Sequence, residues 1–285
     1  MVFGDLKLLV KEKIAKEIER GILKVTKQKI VSLHEPSFDK NDLENVADCI
    51  KSTYVSSFGK YILNFEKKIS KITKSKYVVC TTNGTSALHL ALVVAGVKKN
   101  DEVLIPSLTF VATSNAIKYA AAIPHFVEVE TSNLGIDPVK LEQYLKENTF
   151  KKKHKTLNKN TGNIISALMP VHLFGHPSRI IELKKIAKKY NLILIEDAAE
   201  GLGSFLNSKH IGTFSKMGIL SFNGNKIITT GGGGAILTNN KKLALKARYL
   251  STTAKKNHSY KFIHTELGFN YRMPNINAAL GCSQI

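Results

Sequence analysis

The sequence predicts an α/β protein built on a mostly parallel β-sheet with helices on both faces. Two observations carry that reading. From Tyr77 onward, short apolar runs alternate with segments whose apolar residues fall at helical spacing. The runs are apolar almost throughout, as strands covered on both faces are.

In chain order, MVFGDLKLLVKEKIAKEIERGILKVTKQK comes first. Leu6, Leu9, Val10, Ile14, Ile18 and Ile22 recur at helical spacing among charges, so residues 1–30 read as an amphipathic helical extension. The segment lacks the continuous apolar core and small-residue cleavage site of a secretory signal. Packing on its own domain or on a partner subunit is expected ahead of a membrane surface. A large α/β domain then runs over 31–254. In it YVVCTTN is a strand leading into the helix GTSALHLALVVAG, DEVLIPS a strand leading into TFVATSNAIKYAAA, and IPHFVEVE a strand followed by DPVKLEQYLKEN. IISALMPVH precedes the helix SRIIELKKIAKKY, and the strand NLILIEDA follows. Residues 150–163, FKKKHKTLNKNTGN, are polar and read as a surface loop or insertion. Shorter strands around KMGILSFN and GGAILTNN and the helix KKLALKARYL complete the domain. At about 255 the chain crosses into another element.

Composition narrows the function classes. With 285 residues, 43% hydrophobic and 22% charged, the chain has the profile of a soluble globular protein with an ample core. No apolar run approaches the ~20 residues of a membrane helix. The net charge of +20 raises a nucleic-acid reading. Against it, the basic residues are scattered, arginines are few, and only KKKHK at 151–155 is dense. A lysine-rich solvated surface is the reading adopted, with no nucleic acid as partner; an anionic substrate such as a nucleotide diphosphate would also gain from the positive field. Cys49, Cys80 and Cys282 are odd in number and in no metal-ligand spacing, which fits a reducing cytoplasm and implies no metal.

Three stretches carry chemistry. Asn83-Gly84-Thr85-Ser86 lies where a strand turns into a helix, so its N–H groups and the Thr85 hydroxyl can point at an anion; a turn plus helix cap explains the same letters. NLILIEDAAEGLGS puts Glu196 and Asp197 just past a buried strand, at the sheet edge where open α/β folds bind ligands. SFNGNKIITTGGGGAILTNN sets Lys226 between the polar Ser221 and Asn223 and four glycines that let backbone approach closely. A carboxylate for a pyridinium nitrogen, a lysine, and phosphate-binding loops match the parts of a pyridoxal 5'-phosphate site.

The ordered motifs NGTSALHLAL, PSLTFVATSNAI, MPVHLFGH, IEDAAEGLGS, SFNGNKIITTGGGGAILTNN and GFNYRMPNINAALG resemble the DegT/DnrJ/EryC1/StrS family of pyridoxal-phosphate sugar aminotransferases over roughly 31–285. HEPSF (34–38) and STYVSSFGKYILNFE (52–66) further resemble the branch that aminates nucleotide-linked 4-keto-6-deoxy hexoses in bacterial surface-sugar pathways, including legionaminic-acid and N-acetylbacillosamine-type routes. The resemblance implies a fold type I transferase in which Lys226 bonds the cofactor covalently and Asp197 keeps its pyridine nitrogen protonated. It implies that Phe110 stacks on the ring and that Gly84, Thr85, Ser221 and Asn223 hold the phosphate. By pattern alone Phe110 would be a core phenylalanine. Asn270 in GFNYRM matches the position that reaches the phosphate of a neighbouring subunit, which implies a homodimer with shared sites. Arg272 reads as structural ahead of substrate-binding, and His172 and His176 as loop or scaffold residues.

Two positions depart from the common pattern. Glu200 stands where many relatives have glutamine, near the cofactor's phenolic oxygen, and Gly232 where many have glutamate. Residues 255–285 look like the truncated start of a small C-terminal domain. The implied activity is transfer of an amino group from glutamate to C4 of a nucleotide-linked keto sugar in the cytoplasm. The alternative is a truncated, silent relative that binds cofactor or a partner without turnover. Lys226 argues against the dehydratases of the family, which have histidine there.

Overall fold

The computed structural model describes residues 3–28, 30–32, 34–256, 258 and 260–285, with side chains from residue 11 onward. The side chains of Leu6, Leu9 and Val10 therefore lie outside the described residues. The chain forms two compact units, Met1–Glu35 and Pro36–Ile285. The first contains α1 (Phe3–Thr26), on which Ile14, Ile18 and Ile22 are exposed.

The second unit opens with α2 (Lys40–Lys51) and α3 (Lys60–Thr73) and continues through β1 (Tyr77–Thr81), α4 (Gly84–Ala95), β2 (Glu102–Pro106), α5 (Val111–Tyr119), β3 (Ile123–Val127) and α6 (Pro138–Asn148). Next come β4 (Thr149–Lys152), β5 (Lys155–Asn158), β6 (Ile164–Leu168), α7 (Ile180–Lys189) and β7 (Ile193–Asp197). A small hairpin of β8 (Phe205–Leu206) and β9 (Lys209–His210) precedes β10 (Met217–Ser221), β11 (Gly234–Thr238), α8 (Lys241–Ser251) and α9 (Asn275–Ser283).

The main sheet has the order β1-β11-β10-β7-β6-β2-β3. Pairs β10–β7, β7–β6, β6–β2 and β2–β3 are parallel. Strands β1 and β10 are both antiparallel to β11, so they run with the parallel set and β11 alone along this path opposes it. The carboxyl ends of β1, β2, β7 and β10 consequently open on one edge, where such folds bind ligands. Alternate residues of one strand face opposite layers: Val103 and Ile105 join the helices α4, α5 and α8, while Leu104 joins the core that contains α3, α7 and α9. This is the two-sided burial that the uninterrupted apolar runs express.

Residues 150–163 are not the irregular loop that their polarity suggests. They hold the β4–β5 hairpin, and β5 pairs with β6 at Thr156–Ile165 and Leu157–Ile164. The cause is a buried acceptor, which lets polar side chains do what apolar ones usually do. The Glu102 carboxylate accepts hydrogen bonds from Asn158 Nδ2 at 2.9 Å and from Thr161 Oγ1, with His125 Nδ1 2.7 Å away. Burial pushes the Glu102 carboxyl up, but the bonds from Asn158, Thr161 and His125 outweigh it and hold it below its ordinary value. Glu102→Ala is expected to lower the unfolding free energy by about 3 kcal/mol in urea titrations at neutral pH. Because the folded value is depressed, that contribution is present above the unfolded pKa and is lost as the pH falls through the folded one, so the difference from wild type should shrink in acid.

The end of the described chain is tied to its start within this unit. Helix α9 packs against α2 and α3. Asn275 Oδ1 accepts from the Tyr61 and Ile62 N–H groups at 3.1 and 3.3 Å, and its Nδ2 donates to the Tyr54 carbonyl at 2.6 Å. Gly59, at φ 149°, leaves the room: a Cβ there would sit 2.2 Å from Asn275 Nδ2. Of residues 255–285, read as the opening of a further domain, α9 is thus in direct contact with the helices before β1. Among the described residues no helix is long and apolar enough to cross a membrane.

Candidate active site

At the carboxyl edge of the sheet lies a cavity of about 560 Å³ lined by residues at the ends of six strands or in the segments that follow them. Gly84, Thr85, Phe110, Asp197, Glu200, Ser221, Asn223 and Lys226 all line it. These are the sequence-predicted residues with one exception, Asn270. That residue is exposed, pairs with Thr252 in an isolated bridge, and is not part of the cavity wall.

One wall is the start of α4. Asn83 caps the helix by accepting from the Ser86 N–H at 2.7 Å, which leaves the α4 N-terminus and its positive dipole end open to the cavity. Ser221, the last residue of β10, packs against it so closely that a Cβ on Gly84 would lie 2.9 Å from the Ser221 Cβ. The glycine run has the same cause from the other side. A Cβ on Gly234 would come within 2.5 Å of the Asn83 backbone, one on Gly233 within 2.1 Å of Thr230 Oγ1, and Gly231 is left-handed at φ 74°. Gly232 meets only the Thr82 carbonyl, at 3.7 Å, so close packing explains two of the four and a left-handed backbone a third.

Between Phe222 and Gly233 the chain closes a loop: the Phe222 N–H donates to the Gly233 carbonyl and the Thr230 N–H to the Phe222 carbonyl, at 2.8 and 2.9 Å. Within it the Lys226 N–H donates to the Asn223 carbonyl at 3.0 Å. The Lys226 side chain is 14% exposed, and its Nζ donates to Glu200 Oε1 at 2.8 Å. The other Glu200 oxygen accepts from the Phe174 N–H at 2.7 Å. The Asn223 side chain donates to Asn225 Oδ1 at 3.1 Å, and Phe110, just ahead of α5, is 73% exposed at the rim. An aromatic so exposed is not a core residue.

The two adjacent carboxyls at the end of β7 have opposite surroundings. Asp197 Oδ2 accepts from Thr113 Oγ1 at 2.7 Å and Oδ1 from the Ala199 N–H at 3.2 Å. Burial nevertheless pushes the Asp197 carboxyl above its ordinary value, since these bonds offset the lost hydration only partly. Glu196, pointing to the other face, is fully buried. It accepts from the Gly212 N–H at 2.8 Å, from the N–H and hydroxyl of Ser215 at 2.7 Å each, and from His172 Nε2 at 3.1 Å. Burial pushes the Glu196 carboxyl up too, yet those donors outweigh it and hold it below its usual range. His172 Nδ1 accepts from the Ser178 N–H at 3.1 Å, which leaves the proton on Nε2 and makes His172 a strut between loop and sheet. His176 is exposed and outside the cavity wall.

Arg272 sits away from the cavity, with Nη2 4.0 Å from Glu66 Oε1, while Arg248 donates to Glu66 Oε2 at 2.8 Å. The Glu66 contact joins Arg272 to α3, outside the cavity wall. Sequence reading missed Thr113 and Phe174, and it did not foresee that Glu196 turns away from the cavity. For Thr113 the signal was present, since Thr109 and Thr113 stand one helical turn apart and their hydroxyls are 2.8 Å from each other.

A sheet of this topology with a lysine, a buried carboxylate and a helix N-terminus on one cavity has the architecture of fold type I pyridoxal-phosphate transferases. Comparison with known proteins narrows the class: residues 36–285 match the DegT/DnrJ/EryC1/StrS aminotransferase family, and the chain belongs to that family. It is 38% identical over 257 residues to the GDP-perosamine synthase of Escherichia coli O157:H7, covering 90% of this chain and 66% of that protein. It is 35% identical over 257 residues to the putative pyridoxal phosphate-dependent aminotransferase EpsN of Bacillus subtilis, covering 90% and 63%. Among solved structures, Helicobacter pylori PseC, an aminotransferase of pseudoaminic acid biosynthesis, superposes with a TM-score of 0.78 at 28% identity, covering 90% of this chain and 65% of that one. The chain thus spans just under two thirds of the length of the curated relatives it matches.

Proposed function

We propose that this chain is a pyridoxal-phosphate aminotransferase that moves an amino group from glutamate to C4 of a nucleotide-linked 4-keto-6-deoxy sugar. The observation that carries the reading is the convergence of Lys226 and the buried Asp197 on one cavity with an open helix N-terminus. These residues fit the cofactor. The α4 start with Gly84, Thr85 and Ser221 offers N–H and hydroxyl donors to a phosphate, joined by Asn223. Asp197, costly to ionise where it stands, suits a positively charged N–H that would compensate its burial. Phe110 offers a ring face at the rim, and Glu200 an acceptor beside Lys226. Once bound, pyridoxal phosphate supplies the reactive carbonyl and the electron-withdrawing ring that transamination needs.

The chain's own residues supply the rest. The Lys226 amine would hold the cofactor and, when released, would move a proton between the cofactor and the substrate carbon that loses or gains the amine. Asp197 would hold a positive charge on the cofactor in place. The helix N-terminus anchors the anionic end, so that Lys226 meets a fixed geometry. The names of the relatives, a GDP-perosamine synthase among them, support a nucleotide sugar as acceptor. Asn270, exposed outside its own cavity wall, suits a homodimer in which it reaches the phosphate site of the other copy. The free, buried cysteines suit a cytoplasmic location.

The test is incubation of the purified chain with pyridoxal phosphate, glutamate and, in turn, GDP-, UDP- and dTDP-linked 4-keto-6-deoxy hexoses. The expected products are 2-oxoglutarate and one 4-amino sugar nucleotide; no 2-oxoglutarate with any acceptor would refute the reading. A narrower check concerns the anchor. Gly84→Ala should weaken pyridoxal-phosphate binding by about 1–3 kcal/mol in an absorbance titration, since its Cβ would displace the Ser221 side chain. Unchanged affinity would remove the α4 start from the phosphate site.

A further inference from the structure

We infer that Phe174 is a substrate-binding residue whose ring packs against the apolar face of the keto hexose. The inference rests on the aminotransferase reading above. Phe174 lines the same cavity as Lys226, yet its side chain is 76% exposed. Its backbone is left-handed, at φ 53° and ψ 24°, a conformation that disfavours a large L-residue. An exposed aromatic and a strained backbone are two separate costs at one position. Neither is repaid by packing within the chain.

The surroundings hold the backbone there and leave the ring free. The Phe174 N–H donates to Glu200 Oε2 at 2.7 Å. The Gly175 N–H donates to the His172 carbonyl at 3.0 Å and the His176 N–H to the Leu173 carbonyl at 2.9 Å. Gly175 is itself left-handed at φ 77°, and a Cβ on it would lie 2.6 Å from the Glu200 carbonyl, so this turn is pressed onto the chain after β7. His172 is in turn locked to Glu196 and Ser178. A rigid backbone presenting a solvent-facing ring is what low-entropy recognition of an apolar surface requires.

Location selects the part of the substrate. Glu200 bridges the two residues, with Oε1 on Lys226 Nζ and Oε2 on the Phe174 N–H, so Phe174 stands one carboxylate's width from the reacting amine. The group that must approach Lys226 is the hexose carbonyl carbon. The nucleotide, joined at the other end of the sugar, extends away from it. The ring therefore meets the sugar's C–H face and its 6-methyl group, and contributes by apolar and aromatic contact.

The test compares wild type with Phe174→Ala and Phe174→Gly, each loaded with pyridoxal phosphate. Affinity is measured by calorimetry for whichever of the GDP-, UDP- and dTDP-linked 4-keto-6-deoxy hexoses binds wild type most tightly, and for the matching nucleoside diphosphate alone. Both variants should bind the nucleotide sugar roughly tenfold more weakly, with KM for it raised by a similar factor and kcat little changed. Affinity for the free nucleoside diphosphate should stay within about twofold. Phe174→Gly, which relieves the left-handed strain, should melt no lower than wild type while losing the same affinity. Equal losses for sugar nucleotide and free nucleotide would assign the ring to the base and overturn the inference, as would unchanged affinity for both. A Phe174→Gly chain that melts well below wild type would overturn it in favour of a structural role. Failure of all three sugar nucleotides to bind wild type would instead sink the substrate reading, and this inference with it.

Discussion

Lys226→Ala is expected to lower transamination by at least roughly a thousandfold, because the substitution removes both the cofactor's covalent anchor and the proton carrier. It should also remove the visible absorbance band of lysine-bound pyridoxal phosphate. The fold should survive. The loop around Lys226 is closed by backbone bonds from Phe222, Thr230 and Lys226 itself, none of which uses the lysine side chain. Among the described residues the only polar contact of Nζ is Glu200, which keeps its bond from the Phe174 N–H. Circular dichroism and melting temperature close to wild type, with activity at background, is therefore the expected pair of results. Activity retained at a tenth of wild type or more would require a different lysine, and the mechanism would fall.

The second large effect is at Asp197. Asp197→Asn should lower kcat/KM by roughly 10²–10³, the cost of removing a preorganised charge at a developing one. Stability should move the other way. Burial raises the Asp197 carboxyl in the folded chain, so its folded pKa lies above its unfolded one. Ionisation then costs stability: the cost is absent below the unfolded pKa and grows until the pH passes the folded value. At neutral pH the cofactor-free Asp197→Asn chain should be no less stable than wild type, with a flatter dependence in the acid range. Asparagine can still accept from Thr113, which keeps the local bonding. Equal losses of activity and stability would mean that Asp197 is a structural cap.

The sheet was legible because apolar runs such as VLIP and ILIE have only one comfortable environment, between two layers of helices. Positions next to chemistry were legible for a related reason. Asn83-Gly84-Thr85, Asp197 and Ser221-Asn223-Lys226 each end or follow a strand, and strands running in one direction bring their ends to one edge. The β4–β5 hairpin was not legible, since its polar residues are held by Glu102, a partner distant in sequence that shows no pattern beside them. Phe174 was missed because exposure and a left-handed backbone leave no trace in composition. His172 and Glu196 read as separate residues in the sequence, and only the fold joins them into one buried pair. Asn270 lies outside the cavity of its own chain, so its part in the site is a question of assembly, answerable by the oligomeric state of the cofactor-loaded protein.

The most direct test of the central claim is an absorbance spectrum of the purified chain with added pyridoxal phosphate, recorded before and after glutamate. The account predicts a visible band that is absent in Lys226→Ala and that glutamate converts to the shorter-wavelength absorbance of the pyridoxamine form. A band that appears equally in Lys226→Ala, or no band at all, would contradict the assignment of this cavity. A Lys226-dependent band that no amount of glutamate changes would contradict the assigned donor and turnover while leaving cofactor binding intact.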